Sequence, residues 1–303
     1  RCLGVDAFPP AHALGSSHGQ TRIIRQAYYE HPVYVPLAIA SYDHWRALEQ
    51  ESGEQVFVQT GLLQVGPSQG EVLRGVRESA RRYNLAVEEL SRVEIAQRFP
   101  GFRVPPGMDG IYEATAGYLR VERAIALHLT LAQQHGVMLH TGQRVVRWNV
   151  ENGADGSVAI ETADGLRFEA ARLIITAGAW AAQLLPELGR TLTVLRKPQF
   201  WFPVTEPRLR PADSPAFLYE MPEGVFYGFP PIDGRMKVAE HSGGLPVADP
   251  LSVERAIQPM DLPPLQRFIA AQLPGLDATP VDHSVCMYTM SPDAHFVVDR
   301  HPL

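Results

Sequence analysis

Residues Cys2-Leu3-Gly4-Val5-Asp6 form a short apolar run closed by an acid, followed by Phe8-Pro9-Pro10 and a loop rich in Gly, Ser and His through Gly19. That pattern reads as a strand feeding a long loop. Dinucleotide-binding folds place at such a strand end the acid that accepts from a ribose hydroxyl, about 20 residues after a Gly-rich turn. Taken alone, Asp6 is more often a surface carboxylate. The loop Gly15-Ser16-Ser17-His18-Gly19-Gln20-Thr21-Arg22 can present backbone N–H groups to a phosphate or be an ordinary turn. Arg22 and Arg25 share a face if helical and take opposite faces if extended. Either guanidinium can hold a carboxylate bidentately or stand in solvent.

Further along, Tyr34 to Ser52 has helical spacing with Gly53 as its stop, and Gln69 to Tyr83 and Ser91 to Arg98 also read as helices. A strand-like pair, Val56 to Val58 and Gly61 to Val65, lies between them. A helix over Arg120 to His135 ends at Gly136 and leads into a strand, Val137 to His140. Arg144 to Val150, Ser157 to Thr162 and Arg167 to Ala170 alternate as antiparallel strands, with Asn152-Gly153 and Asp164-Gly165 as turns. Leu173-Ile174-Ile175-Thr176 is unalternated, as expected of a strand buried on both faces, and runs into Ala177-Gly178-Ala179-Trp180. Beyond Gly189, short strands at Phe200 to Phe202, Phe217 to Met221, Val225 to Phe229 and Met236 to Ala239 suggest a second, mainly antiparallel sheet. A helix near Leu265 to Leu273, a stretch from Val281 to Thr289 and a last strand, His295 to Asp299, complete the pattern. The expected fold is α/β (α+β), a Rossmann-like nucleotide-binding domain interleaved with an antiparallel sheet domain.

The 303 residues suit one large or two ordinary domains, and 45% hydrophobic with 20% charged residues describe a soluble, folded chain. A net charge of −6 gives no footprint for nucleic acid or an anionic membrane. Two cysteines, Cys2 and Cys286, make no disulfide framework and fit a reducing compartment such as the cytoplasm. No stretch is apolar enough to span a membrane. His283, Cys286 and His295 lack the partner spacing of a metal site, so no metal is expected. GxSxG, P-loop and HExxH patterns are absent. Cys286 is by default a buried apolar cysteine and alternatively a nucleophile. The start at Arg1 and the end at His301-Pro302-Leu303 suggest a piece excised from a longer chain.

Taken in order, these pieces carry a family resemblance. Val5 to Pro10, Gly15 to Tyr28, Tyr34 to Ala38, Gly117-Tyr118-Leu119, Ile175 to Trp180, Phe226 to Pro230 and Cys286-Met287-Tyr288-Thr289 through Asp299 resemble the monomeric sarcosine oxidase and N-methyltryptophan oxidase family across essentially the whole chain. The resemblance implies an FAD enzyme that oxidises the C–N bond of a secondary amino acid to an imine and passes the electrons to O2, giving H2O2. Its partners would be a small amino acid and oxygen, and it would act as a monomer. The alternatives are a dehydrogenase with another electron acceptor, or a non-catalytic scaffold that retains a truncated FAD fold.

By the same resemblance, Asp6, Ala7, Phe8, Ser16, Ser17, His18, Thr21, Val145, Ala177, Gly178 and Trp180 line FAD, and Arg22 lies against the flavin. Cys286 matches the cysteine that forms a thioether to the flavin 8-methyl carbon. Lys237 matches, within one residue, the lysine that assists oxygen reduction. Arg25 and Leu218 are assigned to the substrate, Arg25 pairing with its carboxylate, and Tyr227 and His241 match pocket residues around the amine. The expected FAD-binding domain comprises 1–58, 118–189 and 290–303, and the substrate domain 59–117 and 190–289. The family's Gly-rich turn would precede Arg1, and its C-terminal flavin-contacting stretch would follow Leu303.

Overall fold

The structure, a computed structural model, describes residues 1–151, 156–187, 191–207 and 209–302. The Asn152-Gly153 turn, the break at Gly189 and Leu303 lie outside these residues. Helix ends follow their sequence signals. The helix Val35–Ser52 stops at Gly53, whose φ of 71° is the left-handed cap that glycine adopts without strain. Ser91 caps Arg92–Arg98 in a reciprocal capping box with Glu94.

Four sheets are present among the described residues. Leu3–Asp6 pairs in parallel with Met138–Thr141. Val145–Val150, Val158–Thr162 and Arg167–Ala170 form an antiparallel meander as expected. Thr21–Ile24, Gly117–Arg120 and Phe57–Val58 make a small third sheet.

The fourth sheet is nine-stranded and builds the site. From one edge it runs Leu245–Val247, Thr193–Pro203, Arg235–Glu240, Gly224–Gly228, Ala216–Met221, Leu62–Pro67, Met108–Glu113 and Glu88–Leu90. Asp282–Met290 pairs along the other edge of Thr193–Pro203. Every pairing is antiparallel except Leu62–Pro67 with Ala216–Met221.

Period-two alternation gives this sheet two different faces. On one, Leu63, Val65, Phe200, Phe202, Phe217, Tyr219 and Phe226 pack with Leu265, Phe268 and Ile269 of the helix Leu262–Gln272. Phe226 stacks on Phe268 with ring centroids 4.6 Å apart. Each such buried side chain contributes roughly 1.5–3 kcal/mol, and a one-residue slip of any strand would turn its set to the other face. The register of the other face, which carries the polar residues, is therefore fixed by the aromatic core.

The structure corrects three expectations. Leu173 to Thr176 is not a strand: Ile174 is 84% exposed, and no neighbouring strand among the described residues supplies a ladder. His295 to Asp299 is not a strand either, because Ser291 Oγ donates to the His295 carbonyl and Asp293 accepts from its N–H, bending the chain at Ala294. Phe57–Val58 and Leu62–Pro67 belong to different sheets and do not pair.

Candidate active site

On the polar face, register places Ile111, Gln64, Leu218, Tyr227, Ala239, Gln199 and Ser284 side by side on seven adjacent strands. In the flanking rows Lys237 stands opposite Trp201, and Lys197 opposite Cys286. Directly opposed residues share a face at Cβ separations of about 4.5–5.5 Å.

The segment from Ser16 to Ala27 lies across this face. At one end Ser16 Oγ donates to the Met287 carbonyl (2.7 Å), and the buried Cys286 thiol faces the Ser16 carbonyl (3.4 Å). In the middle, Lys237 Nζ donates to the carbonyls of Gly19 (2.6 Å) and Thr21 (2.9 Å), and Trp201 Nε1 to Gln20 (2.7 Å). The Gly19 backbone rests on the Gln199 amide so closely that any side chain there would collide with it. At the far end the buried Glu113 carboxylate accepts from the N–H groups of Gln26 (2.7 Å) and Ala27 (3.1 Å), fixing the chain that carries Arg25. Arg22 braces the loop, donating to the carbonyls of Ser16 (2.5 Å) and His18 (3.0 Å).

Arg25 is buried, and its Nη2 reaches both Glu30 carboxylate oxygens at 2.5 and 2.6 Å. Nearby, the His241 ring contacts the Tyr288 hydroxyl through Nδ1 (3.2 Å). Burial first, then the positive charge of Arg25, pushes the His241 pKa down to about 4, so the imidazole is neutral at pH 7. Burial pushes the Tyr227 phenol up to about 12 and the Tyr288 phenol well above its ordinary value. Burial, with Arg22 nearby, holds the Lys237 ammonium well below the ordinary lysine range.

The pH consequence of His241 has a definite sign. Between about pH 6.5 and 4 the unfolded chain binds a proton there that the folded chain does not, so stability is present above that window and lost as pH falls through it. His241→Gln is expected to remove about 3 kcal/mol of this acid loss. Thermal melts of both proteins from pH 7 to pH 4 check it, and parallel declines would show that His241 does not titrate this way.

The residues expected around the cofactor come together in part. Asp6 ends its strand at the carboxyl edge of the parallel pair, the edge at which open α/β sheets bind ligands. It is exposed, and its Oδ1 accepts from the Phe8 N–H (2.9 Å). Phe8 packs against Trp180 at 5.3 Å between centroids, and Trp180 also approaches Gly15. This joins the Asp6-Ala7-Phe8 strand end, the Gly15 loop and the Ala177-Gly178 turn. Val145 opens the strand that follows Gln143, whose N–H donates to the Asp6 carbonyl (2.9 Å). Ser17 is exposed on the loop, while His18 Nε2 and Thr21 Oγ1 are buried with no partner in the protein. A strand-end acid and a glycine loop with orphaned polar atoms fit a dinucleotide.

Residues 1–303 match the family described as FAD dependent oxidoreductase. The chain belongs to this family. It is 37% identical to monomeric sarcosine oxidase of Streptomyces avermitilis over 311 residues, an alignment that takes in all of this chain and 79% of that one. To N-methyl-L-tryptophan oxidase of Citrobacter koseri it is 34% identical, covering 100% and 80%. Among solved structures, NikD, described as an unusual amino acid oxidase essential for nikkomycin biosynthesis, shares the fold of this FAD dependent oxidoreductase. The TM-score is 0.82 at 22% identity, covering 96% of this chain and 76% of that one. No helix among the described residues is long and apolar enough to cross a membrane.

Four residues that shape this candidate site escape a reading of the sequence. Tyr288 was within reach, since two residues beyond Cys286 on a strand is the same face. Lys197 donates to three successive carbonyls, His241 (2.9 Å), Ser242 (2.7 Å) and Gly243 (3.1 Å), which fixes the turn behind His241. Burial pushes its pKa down to about 8. Arg255 pins the loop by donating to the carbonyls of Ala13, Leu14 and Val285. Glu113 holds Gln26 and Ala27. A charged residue inside an apolar strand is the signal that points to Lys197 and Glu113; Arg255 leaves none. Two surface clefts, one beside Arg98 and Tyr112 and one beside Val204 and Pro231, are lined by none of these four residues.

Proposed function

We propose that this oxidoreductase oxidises the C–N bond of a secondary, N-methyl-type amino acid to an imine and reduces O2 to H2O2. The observation that carries the reading is the charge arrangement on the polar face: one buried guanidinium, Arg25, beside a neutral imidazole and two un-ionised phenols. Hydride leaves a carbon next to nitrogen only when the nitrogen lone pair is free. A site for this reaction must hold a carboxylate without stabilising an ammonium, and this arrangement does both. The substrate carboxylate takes the place of Glu30 on Arg25, which orients the molecule. Neutral His241 and Tyr227 face the amine and add no charge that would stabilise its protonated form.

FAD supplies the hydride acceptor and the route for electrons to oxygen. Asp6, Ala7, Phe8, the Ser16–Arg22 loop, Val145 and the Ala177–Trp180 turn would hold it, with Cys286 as the covalent tether. Lys237, a donor fixed by two carbonyls, presents its Nζ–H group where reduced oxygen develops negative charge. In this reading 1–58, 118–189 and 290–303 serve the cofactor, and 59–117 and 190–289 the substrate. Similarity to a sarcosine oxidase and an N-methyl-L-tryptophan oxidase supports the substrate class.

The test is a panel of N-methyl amino acids with peroxide as readout, using the full-length, FAD-loaded protein. Flavin reduction without peroxide would indicate another electron acceptor. Acid precipitation checks the tether: flavin is expected to stay with the wild-type pellet and to be released from Cys286→Ser. Release from both proteins would return Cys286 to an ordinary core cysteine.

A further inference from the structure

Gln64 occupies a place in the sheet where an aliphatic residue is the expected choice. Its strand reads Leu62-Leu63-Gln64-Val65, and its cross-strand neighbours are Leu218 and Ile111. The residue is 0% exposed, and neither Nε2 nor Oε1 has a hydrogen-bond partner in the protein. Its strand neighbours place it between two apolar clusters, one around Leu218, Ile111 and Tyr29 and one around Leu62 and Phe229, and Tyr227 packs against both. A primary amide carries two donors and an acceptor with two lone pairs, and leaving them unpaired in apolar surroundings is strongly unfavourable. Sheet stability alone would select leucine or valine.

Register locates this amide relative to the chemistry. Gln64 is one strand from Leu218 and two from Tyr227 in the same row on the same face. At about 4.8 Å per strand, its Cα lies on the order of 10 Å from that of Tyr227. A glutamine side chain directed along the row covers about half of that span. The amide thus shares the row of Tyr227, with Leu218 between them, on the face crossed by the segment that carries Arg25.

We propose that Gln64 is a specificity-determining residue: it recognises a neutral hydrogen-bonding group, an amide or hydroxyl, on the substrate's side chain. This rests on the amine-oxidising reading and narrows its substrate class to N-methyl amino acids with polar, uncharged side chains. A site built around a buried amide rejects an apolar isostere because binding the isostere leaves the amide unpaired.

N-methyl-L-asparagine and N-methyl-L-leucine, nearly equal in size, test it on the full-length, FAD-loaded enzyme. The ratio of their kcat/KM values does not depend on the fraction of active protein. In the wild type the ratio is expected to favour the asparagine derivative by about tenfold or more. In Gln64→Met, which keeps the volume and removes the amide, the ratio is expected to fall by about the same factor. A wild-type ratio at or below one overturns the inference without the variant. A ratio unchanged in Gln64→Met, with a shift only in thermal stability, overturns it in favour of a structural role. If the wild type oxidises no N-methyl amino acid at all, the amine-oxidising reading falls and the inference with it; if it oxidises N-methylglycine and the ratio fails, only the inference falls.

Discussion

Arg25→Met is expected to raise KM for an N-methyl amino acid on the order of 10²–10³-fold, with a much smaller fall in kcat. Truncating one partner of a buried, hydrogen-bonded charge pair costs about 2–5 kcal/mol. Arg25 is the buried guanidinium beside His241, and its present partner, Glu30, is exposed and displaceable. Its grip on the carboxylate is the same in the bound substrate and the transition state, and the loss of such uniform binding appears in KM. Steady-state peroxide production against substrate concentration reads the split. An unchanged KM with a lowered melting temperature would make Arg25 a structural partner of Glu30 and nothing more.

The second large effect is expected at Lys237. Its Nζ donates to the carbonyls of Gly19 and Thr21 and lies 4.3 Å from the centre of the Phe229 ring, so it is held in one place before any reaction begins. Removing one preorganised charge-stabilising donor typically costs about 10²–10³ in rate. Lys237→Met should therefore slow reoxidation by O2 by about that factor, while anaerobic reduction by the amine changes far less. Rapid-mixing measurements of the two half-reactions separate them. Equal losses in both would mean that Lys237 acts only by holding the Gly19–Thr21 loop in place.

Much of this site was legible in the sequence, for reasons that differ from residue to residue. The Gly15–Arg22 loop announces itself by composition, and Cys286 and Lys237 by their place in an ordered series of motifs. Alternation shows which residues of one strand share a face, but the alignment of strands far apart in sequence is set by the aromatic core. The row that joins Gln64, Leu218, Tyr227 and Gln199 therefore appears only once Phe217, Phe226 and Phe200 are packed on the opposite face. Arg255 and Glu113 act on backbone 242 and 87 residues away, and no local pattern encodes such contacts. The misreading of Leu173 to Thr176 has a related cause. An unbroken apolar run is compatible with a buried strand but does not supply the neighbours that bury it.

One measurement bears most directly on the central claim. The full-length, FAD-loaded protein is mixed anaerobically with N-methylglycine, N-methyl-L-leucine and N-methyl-L-asparagine in turn while the visible flavin absorbance is followed, and air is then admitted. The account predicts that the absorbance bleaches with at least one of these amines and returns on aeration, with one H2O2 formed per cycle. Absorbance that none of the three amines changes would contradict it.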